Sequence, residues 1–246
     1  MKNSFKPLDL NDCFLKKKRI DIWQYPLHTE FPEAASLLTH DEIARAKRYY
    51  FPRHQRRFTI ARAMLRLILA RYCDRFAHQL IFDQGDQGKP FLTDALELQF
   101  NLSHSEDMAL LAIGSEFPVG IDLECFAGRP YEGIGRQMFS NAENKALIST
   151  PRPLKPLAFF HLWAQKEALI KACGLGLSYP TQQFDVPALP STNQLVFDSL
   201  HEKTWKMISF QPQVSCCAAL CCHPEVTEMR YIRIQAGFNF RENNVA

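Results

Sequence analysis

No long hydrophobic run interrupts this sequence of 246 residues: its longest apolar stretch, Val214 to Cys222, has a serine inside it and falls far short of the ~20 residues that cross a bilayer. A membrane-spanning segment is therefore not expected. Glycine is sparse, with 10 residues beside 15 prolines, and neither collects into a long flexible linker. Charge of one sign is also lacking, since a net charge of +3 excludes a polycation. The N-terminal stretch MKNSFKPLDLNDCFLKKKR places its charges after scattered apolar residues, the reverse of a secretory signal, so a cytoplasmic protein is expected. Cysteine occurs eight times, too dilute to serve as a framework in a chain of this size, and reduced thiols are expected. The tempting group Cys216, Cys217, Cys221, Cys222 and His223 lacks the paired ligand spacings of a zinc framework, and VSCCAALCC reads as a buried strand of small residues.

What is present fits a globular chain. With 46% hydrophobic and 22% charged residues it can bury roughly 70–75% of its unfolded surface, as one large domain or two small ones. Its charge is unevenly spread. Arg45, Lys47, Arg48, Arg53, Arg56, Arg57, Arg62, Arg66, Arg71 and Arg75 face a single acid, Asp74, within that segment. Composition alone fits a positive surface for an anion, phosphate first, and fits equally a solvated helix face.

Thr39-His40-Asp41-Glu42 reads as a capping box opening a short helix that Pro52 ends. A longer helix follows, with Ala61, Met64, Leu65, Ile68 and Tyr72 as its apolar stripe and Arg62 and Arg66 off it. Strand-like runs come next at Leu80 to Phe82, Leu98 to Ser103 and Met108 to Gly114, the last two as a hairpin. The order then recurs: a strand Val119 to Glu124, a second capping box Ser140-Asn141-Ala142-Glu143, and a helix from about Pro156 to Cys173 stopped by Gly174. Gln183 to Val186, Leu195 to Asp198, Trp205 to Phe210, Val214 to Cys222 and Met229 to Ile234 close the chain as strands. The expected architecture is α+β, in two similar halves, residues 1–117 and 118–246, with any shared site in the groove between them.

The chemistry concentrates in a few short pieces. In VGIDLE, Asp122 and Glu124 share one face of a strand, a pair suited to Mg²⁺, which is held by one or two carboxylates and substrate phosphates. In FFHLWAQKEALIKACGLG, Trp163, Glu167 and Lys171 line one helix face with Lys166 beside them. Combined with the strand pair, Glu167 adds a third carboxylate and Lys171 a cation for phosphate. Gly88-Lys89-Pro90 presents a lysine on a defined turn, and Ser103 and His104 leave an apolar strand at a hairpin tip.

Together these pieces resemble the 4'-phosphopantetheinyl transferase superfamily, in its Sfp-type, monomeric, two-half form. RYYFPRHQRRFTIARAMLR, GKPFL, FNLSHS, VGIDLE, FSNAE and FHLWAQKEALIKACGLGLS stand in the family's order and at its approximate spacings, over most of the chain. The resemblance implies a pseudo-two-fold α+β fold with coenzyme A in the cleft between the halves. It also implies transfer of phosphopantetheine from coenzyme A to a serine of an apo acyl or peptidyl carrier protein, releasing adenosine 3',5'-bisphosphate. By motif position Asp122, Glu124 and Glu167 hold Mg²⁺, or Mn²⁺, against the diphosphate, and Glu167 and Lys171 act in catalysis. Coenzyme A contacts are expected from Arg45, Arg57, Gly88, Lys89, Pro90, Ser103, His104, Lys166 and Lys171, and carrier contacts from Leu175 and Leu177. One departure is that Ala164 and Gln165 follow Trp163, where the family often has a hydroxyl residue. The rival reading is a metal-dependent nucleic-acid-binding protein or nuclease, with the 45–75 segment on backbone phosphates.

Overall fold

The computed structural model describes residues 5–7, 12–128, 131–190 and 193–234. Two four-stranded sheets stack face to face, each covered on its outer side by helices. The first half runs β1 (Arg19–Pro26), α1 (His40–Lys47), α2 (Pro52–Tyr72), β2 (Phe82–Gln84), β3 (Pro90–Leu92), β4 (Leu98–Ser105) and β5 (Met108–Ser115). The second runs β6 (Gly120–Cys125), α3 (Tyr131–Met138), α4 (Asn141–Ser149), α5 (Lys155–Cys173), β7 (Gln194–Asp198), β8 (Lys203–Phe210), β9 (Cys216–Cys222) and β10 (Glu228–Arg233). The larger sheets are ordered β10-β1-β5-β4 and β6-β9-β8-β7, and β2 pairs with β3. Among the described residues no helix is long and apolar enough to cross a membrane.

Side-chain alternation builds the layers. On β1, Trp23 and Tyr25 pack with Met64, Leu65 and Ile68 of α2, while Ile20 and Ile22 face the second sheet. On β9, Cys217, Ala219 and Cys221 pack against α5, and Ala218, Leu220 and Cys222 fill the space between the sheets. The CCAALCC strand is buried along its whole length. Both capping boxes form, and α5 ends at Gly174 in the left-handed region with φ of 75°.

The halves join along one edge, where β4 runs beside β6 and hydroxyl and carboxamide groups take the place of a backbone ladder. Asn101 Oδ1 accepts from the Ile121 amide at 2.8 Å, Ser103 Oγ from Leu123 at 3.2 Å and Ser105 Oγ from Cys125 at 3.1 Å. Each pair is separated by twenty residues, so alternate positions on one strand serve alternate positions on the other.

Several expectations are corrected. The segment 118–246 does not stay in one half, because β10 returns to pair in parallel with β1 in the first sheet. Arg230 from that strand pairs with buried Asp21 at 2.6 Å, which Arg19 also bonds at 3.0 Å. Residues 183–186 form no strand, their polar groups being held by side chains instead: Lys166 donates to the Phe184 carbonyl and Glu143 Oε1 accepts from the Val186 amide. The short run at 80–82 is displaced to β2, and α1 ends at Lys47, before Pro52 opens α2. Finally, Cys125 and Cys216 are disulfide-bonded, because the β6–β9 register sets them opposite each other. Six other cysteines are free thiols.

Candidate active site

Gly120, Asp122 and Glu124 alternate on the face of β6 that meets α5. A Cβ at Gly120 would overlap the Ala168 carbonyl and the Ala172 amide of that helix, so the missing side chain is what lets α5 lie this close. Asp122, buried at 4% exposure, then receives Lys171 Nζ on Oδ1 at 2.5 Å and Ser103 Oγ at 2.9 Å. Lys171 also donates to Ser103 Oγ at 3.1 Å. Asp122 Oδ2 is buried and accepts no hydrogen bond among the described residues. An anionic oxygen left so is costly unless a cation or a donor reaches it.

Glu167 lies one turn before Lys171 and half-buried. Burial first, and then the Asp122 charge, push its pKa above the ordinary carboxylate range against the pull of Lys171. Glu124, half-buried, shares the β6 face with Asp122. Glu167 thus acts electrostatically on Asp122 and Lys171 where β6 faces α5, Glu124 stands two positions further along the same strand face, and carboxylates are hard oxygen donors of the kind that suits Mg²⁺.

A cleft of about 250 Å³ opens beside them, lined by Gln87, Gly88, Lys89 and Pro90, by Asn101, by Glu167, Ile170 and Lys171, and by Gly174 and Gly176. Lys89 spans it, donating to the Val119 carbonyl at 3.0 Å and the Ala172 carbonyl at 3.1 Å. Burial lowers its pKa to about 8. His104 stands at the exposed end of β4, and its pKa is lowered by loss of water around the ring, then by Lys171 and Arg57. Arg57 forks to Asp107 at 2.8 Å and Glu106 at 2.9 Å in the β4–β5 turn. Arg45 lies exposed, 5.4 Å over the Phe58 ring.

Lys166 does not join this group. It is 1% exposed on the opposite side of α5, paired with Glu143 at 2.8 Å, donating to the Thr181 carbonyl at 2.7 Å and lying over Phe184. Neighbouring positions on a helix diverge by about 100°, so a lysine beside Glu167 in sequence points elsewhere. The basic segment is also less open than its composition implies. Arg62 and Arg66 turn inward onto Glu42, with Arg66 only 2% exposed, and Arg75 pairs with Asp94. Leu175 packs at the edge of the second core, and the Leu177 side chain lies outside the described residues. Sequence reasoning passed over Asn101 and Gly120. The signal available for Asn101 was its two-residue spacing from Ser103 and Ser105.

Comparison with known proteins points the same way. The sequence model of the 4'-phosphopantetheinyl transferase superfamily matches residues 118–221, and that of the 4'-phosphopantetheinyl transferase N-terminal region matches residues 22–116. The chain is 34% identical over 215 residues to the 4'-phosphopantetheinyl transferase HetI of Nostoc sp., covering 84% of this chain and 88% of that protein. It is 29% identical over 151 residues to the 4'-phosphopantetheinyl transferase Sfp of Bacillus subtilis, with 61% and 66% covered. Over 210 residues it is 29% identical to the L-aminoadipate-semialdehyde dehydrogenase-phosphopantetheinyl transferase of Rattus norvegicus, with 74% and 68% covered.

Proposed function

Because the chain belongs to the 4'-phosphopantetheinyl transferase superfamily, we propose that the cleft beside α5 is where it carries out the family's reaction on coenzyme A and a carrier protein. The enzyme transfers phosphopantetheine to carrier proteins. The observation that carries the site assignment is the buried, unpartnered Oδ2 of Asp122, with the Glu167 charge acting on the same carboxylate. Asp122, Glu124 and Glu167 would hold Mg²⁺, or Mn²⁺, which when bound neutralises charge on the coenzyme A diphosphate.

The side chains supply the rest. A serine hydroxyl of the carrier forms a new P–O bond to the phosphorus that bears pantetheine, and the bond to the other phosphate breaks, leaving adenosine 3',5'-bisphosphate. Glu167 takes the serine proton, and the burial that raises its pKa makes it the stronger base for that step. Lys171, fixed by Asp122 and Ser103, stabilises the charge that develops on the departing phosphate. Lys89, Gly88 and Pro90 form the cleft wall for the nucleotide, with His104, Arg45 and Arg57 toward its 3'-phosphate. Lys166 has no part in this, since Glu143 and two carbonyls occupy it. Leu175 borders the turn that would meet the carrier, and the enzyme acts as a monomer with an acidic acyl or peptidyl carrier.

Calorimetric titration with coenzyme A tests the assignment. Binding should strengthen with Mg²⁺ in the native enzyme and lose that dependence in Asp122→Ala. Equal Mg²⁺ dependence in both proteins would refute it.

A further inference from the structure

A second group of ligating side chains lies at the C-terminal end of α5, just beyond Lys171, and is made of residues to which the transferase chemistry above gives no role. Cys173 is the last residue of α5, Asp198 the last of β7, and His201 sits in the turn before β8. The thiol sulfur, one carboxylate oxygen and one imidazole nitrogen all lie within 4.8 Å of one another. Cys173 Sγ is 3.5 Å from Asp198 Oδ2, and His201 Nδ1 is 2.7 Å from the same oxygen.

Asp198 is fully buried and its other oxygen is fixed from three directions. Oδ1 accepts from the Tyr179 hydroxyl and from the amides of Leu200 at 3.1 Å and His201 at 3.3 Å. Trp205 Nε1 adds a bond to Oδ2 at 3.3 Å. A carboxylate locked on one oxygen, with a thiol and an imidazole gathered on the other, has the outer support typical of a metal ligand. Cys173 and His201 are only half-buried, so an ion can reach them.

We propose that Cys173, Asp198 and His201 bind one zinc-class divalent cation, with water in the fourth position. Mixed sulfur, nitrogen and oxygen donors suit Zn²⁺ and disfavour Mg²⁺, which prefers oxygen alone. Tetrahedral zinc with bonds of about 2.0–2.3 Å sets its ligands some 3.3–3.8 Å apart. The sulfur–oxygen separation already matches, and the imidazole, on a half-exposed turn, swings outward by about half an ångström. On binding, the Cys173 thiol proton passes to solvent and the sulfur–metal bond forms, while His201 gives up its Nδ1 proton, through solvent, to become the Nε2–H tautomer, so that its hydrogen bond to Asp198 gives way to metal bonds from Nδ1 and Oδ2. The ion would clamp the C-terminus of α5 to the β7–β8 turn and so fix residues 174–179, which border the cleft through Gly174 and Gly176.

The test uses the full-length, reduced, chelator-stripped protein titrated with Co²⁺ as a spectroscopic probe and then with Zn²⁺. One equivalent of Co²⁺ should give a thiolate-to-cobalt charge-transfer band that Zn²⁺ abolishes. Asp122→Ala should keep that band, which separates this site from the three carboxylates. Cys173→Ser should lose it, and His201→Ala should weaken Zn²⁺ binding by more than the roughly 10–100-fold that loss of an outer partner costs. Absence of the band, or its survival in both Cys173→Ser and His201→Ala, would overturn the proposal. Should Cys173→Ser fail to fold, His201→Ala on its exposed turn decides alone.

Discussion

Ser103 of the first sheet donates a hydrogen bond to Asp122 of the second at 2.9 Å, and the same hydroxyl oxygen accepts from the Leu123 amide at 3.2 Å. One hydroxyl therefore joins the two halves and positions the buried carboxylate. Ser103→Ala leaves that amide and Asp122 Oδ1 short of a partner in a buried place, and should lower the unfolding free energy by about 1–3 kcal/mol. Urea denaturation measures this, and a change within error would show that the seam does not depend on it.

Glu167 gives a pH prediction. Its folded pKa is raised, so the native protein keeps this proton at pH values where the unfolded chain, with a carboxyl near ~4.3, has lost it. Stability from this group is therefore lost as pH rises through that window. In the presence of a chelator, Glu167→Gln should flatten the fall in melting temperature above the ordinary carboxylate range without lowering stability at neutral pH. A steeper fall in the variant would contradict the assigned burial.

Lys166 separates structure from catalysis. Its ammonium is buried against Glu143 and the 181–184 segment. Lys166→Ala leaves Glu143 charged and uncompensated, which should cost about 3–5 kcal/mol of stability. Coenzyme A affinity, measured by titration well below the variant's melting temperature, should change little. A large loss of affinity in a folded variant would return Lys166 to the cleft.

Gly120 sets the distance between β6 and α5. In Gly120→Ala the new methyl group meets helix backbone, which cannot yield as a side-chain tip can. The variant should lose about 1–3 kcal/mol or more, together with turnover, because Asp122 and Lys171 separate. Wild-type stability and turnover would show that the close approach is unnecessary.

Much of this arrangement was legible in the sequence where the information is local. The capping boxes at Thr39 and Ser140 and the left-handed stop at Gly174 follow from neighbouring residues and form as expected. Strand alternation sufficed to put Asp122 and Glu124 on one face of β6. What escaped depended on partners far along the chain. The pairing of β10 with β1 rests on contacts such as Arg230 with Asp21, 209 residues apart. Arg62 and Arg66 read as part of a positive anion-binding surface or a solvated helix face because their counter-charge, Glu42, was already assigned to a helix cap, where its Oε2 still serves the Thr39 amide. Lys166 failed for a geometric reason, as adjacent helix positions face different ways, and Cys125 with Cys216 because a cross-strand register cannot be read from spacing.

The most direct test of the account is intact-mass spectrometry of an apo acyl carrier protein incubated with coenzyme A, Mg²⁺ and either the native enzyme, Asp122→Ala or Glu167→Gln. The native enzyme should add the mass of one phosphopantetheine, a chelator should prevent it, and both variants should slow it by at least ~10²-fold while remaining folded. Full modification by either folded variant at the native rate would contradict the assignment of the three carboxylates as the working centre.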